Sequence, residues 1–343
     1  MGDGSGTPTT AELQALAKVD LHCHVDGAVR PATLLDIART SGVALPADEV
    51  DALLPHVQVS PQCSTLREFL HVFETFYPVL SVPGVMRRIA RELVEDAAAD
   101  GVVHLEARFC PALQASDAQS ADDVTRDVLA GLAEGSAATG TTWGAILCCY
   151  RPLPLQVNEH IVDLALEHAA AGVVAVDLAG PEDLSGAPFA SPLARAREAG
   201  LPLTIHAGEA AGPESIIEAI DLLAATRIGH GVALREDAKL ADRVRETGVA
   251  VECCLTSNLH TGAVASLDEH PFATLRSAGL HVTLNTDDPA VSGITLSGEL
   301  MVAAKQWGLS LAELSALQRT AAEAAFLDAS SREQVLARLA PTE

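Results

Sequence analysis

Short apolar runs alternate with longer amphipathic stretches through most of this chain. The runs fall at 18–24 (KVDLHCH), 101–109 (GVVHLEARF), 142–149 (TWGAILCC) and 172–180 (GVVAVDLAG). Four more follow at 201–209 (LPLTIHAGE), 227–231 (RIGHG), 249–257 (VAVECCLTS) and 281–288 (HVTLNTDD). Their length and their Val, Ile and Leu content read as strands buried on both faces. Between the later runs, 157–171, 214–226 and 235–248 place apolar residues at helical spacing. Strand then helix, repeated to eight strands, predicts an α/β fold of the (β/α)8 TIM barrel type. The gap after the first strand is far longer than one crossover helix needs, so 30–99 is predicted to be a helical insert over the barrel mouth. Helices at 296–307, 310–327 and 331–340 are expected to close the fold at its C-terminal end. No linker, repeat or low-complexity stretch interrupts residues 1–343, which predicts a single barrel domain whose first ten residues, 1–10, are disordered before a short helix. A doubly wound open sheet is the alternative, but no G-x-G-x-x-G follows the first strand.

Composition narrows the partners. Aromatic residues are only 3% of the chain, so the core must be built from Ala, Val, Leu and Ile. No apolar run approaches the roughly 20 residues that a membrane span requires. The start, MGDGSGTPTTAELQ, has neither a basic segment nor an apolar one and does not read as a secretory signal. Forty-six acidic residues against 22 basic ones give a net charge of -24, a field that repels nucleic acid and anionic membranes. A neutral or cationic small molecule is the easier partner. The seven cysteines form no C-x-x-C pair and read as small buried hydrophobes in a reducing cytoplasm.

Four strand ends carry the candidate chemistry. His22 and His24 are two apart on the first strand, so they share its inward face at the catalytic end of a barrel. His206 closes the fifth strand and Glu209 follows it in the turn; His230 sits between two glycines after the sixth. Asp287 and Asp288 close the eighth, where adjacent side chains diverge and take different roles, one toward a metal and one toward a substrate donor. Barrel closure would gather these histidines and carboxylates into one nitrogen- and oxygen-lined site suited to a divalent metal. His104 and Glu106 match half of a zinc deaminase signature, but no P-C-x-x-C follows. His56, His71, His160, His168 and His270 fall in helical or loop stretches and are read as surface or packing residues.

The order KVDLHCHVDGAVRP, LEARFCP, DLAG, HAGE, RIGHG, TSNLHTGAV, LNTDDP resembles the adenosine deaminase family of the amidohydrolase superfamily and spans most of the chain. The resemblance implies one Zn2+ per chain, held by His22, His24, His206 and Asp287. Zinc in such a site makes hydroxide available from water near neutral pH. By the same resemblance Glu209 protonates a purine ring nitrogen, and His230 orients the attacking hydroxide or takes its proton. Asp288 and the Gly180 backbone N–H would bind other ring nitrogens, and Asp26 a ribose hydroxyl. The implied activity is hydrolysis of adenosine or 2′-deoxyadenosine to inosine or 2′-deoxyinosine and ammonia. Related adenine compounds remain as alternatives: adenine, a 5′-substituted adenosine such as aminodeoxyfutalosine, or an N6-substituted purine. The insert matches the family least, and Cys254-Leu255 stands where Cys-Pro is usual. A two-metal amidase would place a lysine on the fourth strand, and GVVAVDLAG has none.

Overall fold

The structure, a computed structural model, describes residues 7–60 and 62–340. Eight parallel strands pair in chain order: β1 Lys18–His24, β2 Val102–Phe109, β3 Thr142–Tyr150, β4 Val173–Ala179, β5 Leu203–Ala207, β6 Arg227–His230, β7 Ala250–Cys253 and β8 Val282–Leu284. The seam between β8 and β1 is a bridge pairing Cys23 with Asp287. There the His24 N–H donates to the Asp287 carbonyl and the Asp287 N–H to the His22 carbonyl, both at 2.7 Å. Lower down, the Leu21 N–H donates to the Asn285 side chain at 3.1 Å. The sheet therefore joins where the metal-binding candidates of both strands lie, and the TIM barrel read from the sequence is the fold found.

Two strands end sooner than their apolar runs suggest. β7 stops at Cys253 and a helix, Leu255–His260, begins at once, so Ser257 and Asn258 are helical rather than extended. β8 stops at Leu284 because the Asn285 side chain takes over the ladder to β1. Within 214–226 a short α-helix, Pro213–Ile217, passes into a π-turn, Glu218–Leu222. At the N-terminus the expected disorder is corrected at its end: Thr9 forms a capping box with Glu12 and opens a helix, Thr10–Ala15. Residues 1–6 lie outside the described residues.

The segment between β1 and β2 divides in two. Helices Pro31–Ser41, Val50–Val57, Leu66–His71 and Tyr77–Leu80 precede a longer one, Val85–Ala99. That last helix packs on β2 and on Ala121–Thr139, the outer-ring helix following β2, so it is the β1–β2 crossover rather than part of a cover. The two helices meet closely through glycines. A Cβ at Gly131 would lie 2.1 Å from the Arg87 carbonyl oxygen, and one at Gly135 2.6 Å from Val94 Cβ.

Aliphatic side chains fill the layer between strands and helices, as the composition requires. The barrel lumen does not follow that expectation. Glu106, Arg108, Asp177, Thr204, Arg227, Glu252 and Thr283 all point into it and are buried. Glu252 accepts from Arg108 at 2.9 Å and from Thr204 at 3.0 Å, and it forms an ion pair with Arg227 at 2.6 Å. Arg227 also reaches Glu106 at 2.5 Å and lies 3.6 Å over the Phe326 ring, which closes the far end. Six of the seven cysteines are buried free thiols; Cys63 is partly exposed.

Candidate active site

His22, His24, His206 and Asp287 offer ligand atoms that all lie within 4.8 Å of one another. Their ring orientations are set from behind. His22 Nδ1 lies 2.7 Å from Glu252, and His206 Nδ1 lies 3.0 Å from Asp177. Arg108 donates to both carboxylates, at 3.1 Å to Asp177 and 2.9 Å to Glu252. Burial opposes ionisation of both acids, yet their basic neighbours hold both well below the usual carboxylate range. Each histidine therefore donates Nδ1–H to a carboxylate and turns the Nε2 lone pair inward. His22 Nε2 has no hydrogen-bond partner among the described residues and faces Asp287 Oδ1 at 3.2 Å. His24 Nε2 and His206 Nε2 face each other at 3.3 Å. Lone pairs converging on one another and on a carboxylate would suit a divalent cation held by nitrogen and oxygen donors.

The backbone is strained at this point. His230 has φ 63° and Asp287 φ 60°, left-handed values that non-glycine residues rarely adopt, at a cost on the order of 1–3 kcal/mol each. The seam bonds on either side of Asp287 hold it there, and Ser257 Oγ donates to its Oδ2 at 2.6 Å. Close approach of β6 needs Gly229, where a Cβ would lie 3.0 Å from His22 Cε1.

A cavity opens over the cluster, lined by His24, Asp26, Gly180, Glu209, His230 and Asp288 on the barrel side. Leu66, Phe69, Leu70, Phe73 and Tyr77 of the segment after β1 line its other wall. Glu209 accepts from Thr261 Oγ1 at 2.9 Å, and its second oxygen lies 3.6 Å from His230 Nε2. Burial, then the charges of Asp287 and Glu182, push its carboxyl up to about 8. Burial and the adjacent Asp287 likewise raise Asp288 well above the ordinary range. Burial lowers His230 to about 4 and raises Asp26 to about 6. Asp26 Oδ2 accepts from Gln114 at 3.0 Å; Oδ1 of Asp26 and Oδ1 of Asp288 have no protein partner among the described residues. Every candidate named from the sequence thus lies in or beside one cavity. The chemistry on hand is a candidate metal site beside two carboxyl groups pushed toward their protonated forms.

The sequence model described as Adenosine deaminase matches residues 17–342. The chain belongs to the adenosine deaminase family. An adenosine deaminase from Serratia proteamaculans is 43% identical over 91% of this chain and 94% of its own length. Among solved structures, the adenine deaminase of Arthrobacter aurescens superposes with a TM-score of 0.86 at 26% identity, covering 95% of this chain and 98% of that one. A zinc-bound amidohydrolase from Burkholderia ambifaria gives 0.86 at 26% identity, covering 96% and 91%. This member of the deaminase family is thus a hydrolytic enzyme, and its clustered donors suit the metal cofactor that chemistry uses.

Several residues of this deaminase site were not singled out from the sequence. Asp177 and Glu252 are lone acids inside apolar strands, a pattern that marks a buried partner, but spacing did not say of what. Glu182 accepts the N–H groups of Gly208, Glu209 and Ala210 at 2.7, 2.8 and 3.1 Å, so one carboxylate fixes the turn that carries Glu209. Asn258 Nδ2 lies 3.0 Å from His230 Nδ1 and 3.4 Å from Glu209. His56, His71 and His160 are exposed as expected. His168 pairs with Asp122 at 2.8 Å. His270, by contrast, is buried and bonded to Asn258 at 3.1 Å.

Proposed function

We propose that this family member hydrolyses adenosine and 2′-deoxyadenosine to inosine and 2′-deoxyinosine, releasing ammonia, with one Zn2+ per chain held by His22, His24, His206 and Asp287. The observation that carries the reading is the pair of carboxyl groups, Glu209 and Asp288, that line one cavity beside the histidine cluster. The free ring nitrogens of adenine are hydrogen-bond acceptors, so their site must present donors. Glu209 and Asp288 both line the cavity and both are pushed toward the protonated form; Gly180, beside them, supplies a backbone N–H.

A bound zinc ion supplies hydroxide from water near neutral pH. Glu209 hydrogen-bonds a ring nitrogen and passes it a proton, which makes the neighbouring amino-bearing carbon electrophilic. His230, uncharged near neutral pH, hydrogen-bonds the attacking oxygen. Asp288 and Gly180 bind further ring nitrogens, and Asp26 takes a sugar hydroxyl. Hydroxide adds at the carbon; the hydroxyl proton then passes to the amino group through the Glu209 carboxylate, the carbon–nitrogen bond breaks, and ammonia leaves the oxopurine. The cavity wall from the β1–β2 segment is apolar, and no Lys or Arg among the described residues lines the cavity, which disfavours a substrate phosphate.

The adenine deaminase among the structural neighbours favours a second reading, an adenine compound other than the nucleoside. A panel of adenine, adenosine, 2′-deoxyadenosine, 5′-substituted adenosines and an N6-methylated purine, ranked by kcat/KM, separates the two. Adenosine and deoxyadenosine should lead. Zinc-loaded protein inert toward every adenine compound would refute the proposal.

A further inference from the structure

One chain of hydrogen bonds runs from the backbone into the site, and its direction is fixed at its origin. The Phe272 N–H donates to His270 Nδ1 at 3.1 Å. A backbone N–H has only one role, so His270 Nδ1 is an acceptor and the proton of the neutral ring is on Nε2. Burial lowers the pKa of His270 to about 3, which keeps the ring neutral. His270 Nε2–H therefore donates to Asn258 Oδ1 at 3.1 Å. With its oxygen so engaged, the Asn258 amide must turn Nδ2 the other way. Its two hydrogens then meet His230 Nδ1 at 3.0 Å and Glu209 Oε1 at 3.4 Å. The opposite amide orientation would set the amide N–H against His270 Nε2–H, two donors face to face in a buried place.

We propose that His270 is a positioning residue: through Asn258 it holds His230 as the tautomer protonated at Nε2, so that His230 donates a hydrogen bond into the cavity. Of the two roles a histidine at that position could take, orienting the attacking oxygen or accepting its proton, this selects orientation. The same amide also reaches Glu209, whose Oε1 accepts from Asn258 and Thr261. One backbone N–H thus sets the tautomer of a side chain more than 40 residues upstream in sequence. The catalytic consequence rests on the deamination proposed above; the tautomer does not.

The test is 15N NMR of zinc-loaded protein labelled at histidine, with His230 assigned by the signals lost in His230→Gln. The expected spectrum has His230 Nδ1 in the unprotonated range and Nε2 in the protonated range. His270→Leu, which keeps apolar contact with Trp307 but removes the donor, should mix or invert that pattern and lower kcat by ~10–100-fold with KM little changed. His270→Gln restores a donor to Asn258 and should recover both. A wild-type His230 protonated at Nδ1 overturns the proposal. So does a folded His270→Leu with unaltered tautomer and kcat. Should the leucine variant not fold, the wild-type spectrum decides the tautomer, and a glutamine variant that loses it overturns the relay. Protein with the expected tautomer but no turnover of any adenine compound refutes the proposed function alone.

Discussion

Glu209 shows how one residue's surroundings set its chemistry. An exposed glutamate is ionised near pH 7 and donates nothing. Burial beside Asp287 and Glu182 moves this one to about 8, so the acid form is present where it is needed. The expected pH profile follows: kcat/KM falls as pH rises through about 8, and Glu209→Gln loses ~10²–10⁴-fold in turnover while keeping its metal. The same shift has a stability side. Because the folded pKa exceeds the ordinary 4.5, the stabilisation it contributes is full below 4.5 and is lost as pH rises through about 8. Melting curves at pH 5 and pH 8 should therefore show a larger loss for wild type than for Glu209→Gln. Gly27 makes a second residue-level case. A Cβ there would sit 1.8 Å from Asp288 Oδ1 and 2.7 Å from its Cβ. Gly27→Ala should push the Asp288 carboxyl aside and cost about 100-fold in kcat/KM with metal content unchanged. Unaltered kinetics would mean that Asp288 does not need its present place.

At the scale of elements, the site depends on turns more than on strands. β5 ends at Ala207, and the three N–H groups that follow converge on Glu182 from the β4 turn. Glu182→Gln replaces an acceptor oxygen by a donor facing those groups, so the Glu209 turn should loosen. The expected result is a fall in kcat of roughly 10–100-fold, with a smaller change in KM, in steady-state assays. Such turns explain what the sequence disclosed and what it withheld. His22, His24, His206, Asp287 and Asp288 stand at the ends of apolar runs, so strand counting alone brings them together. Asn258, Thr261 and His270 lie in a helix and loops after β7, where VAVECCLTS reads as one extended run. Nothing in that run announces a helix starting at Leu255, and without the helix Asn258 has no direction. The β1–β2 segment was legible as helical, but its last helix is a crossover whose place depends on Gly131 and Gly135 admitting it.

For the whole molecule, the polar lumen was the least legible feature, because a composition this aliphatic predicts an apolar barrel interior. Single charges such as Glu106, Asp177 and Glu252 look incidental in isolated strands and acquire partners only on closure. Metal removal should be felt throughout. Chelation should abolish turnover and lower the melting temperature, and saturating zinc at 1,000 times its Kd should restore about 4 kcal/mol, read by calorimetry.

The lumen also has an electrical consequence. Glu106, Asp177, Glu252 and Asp287 are all held toward ionisation, and Arg108 and Arg227 are the guanidiniums among them. Negative charge therefore gathers beneath the histidine cluster. Burial works against a charge on His22, yet Asp287 and Glu252 on either side of it raise its pKa. Protein stripped of metal thus recruits protons at the cluster. Uptake of zinc should then expel those protons, and its apparent affinity should climb with pH.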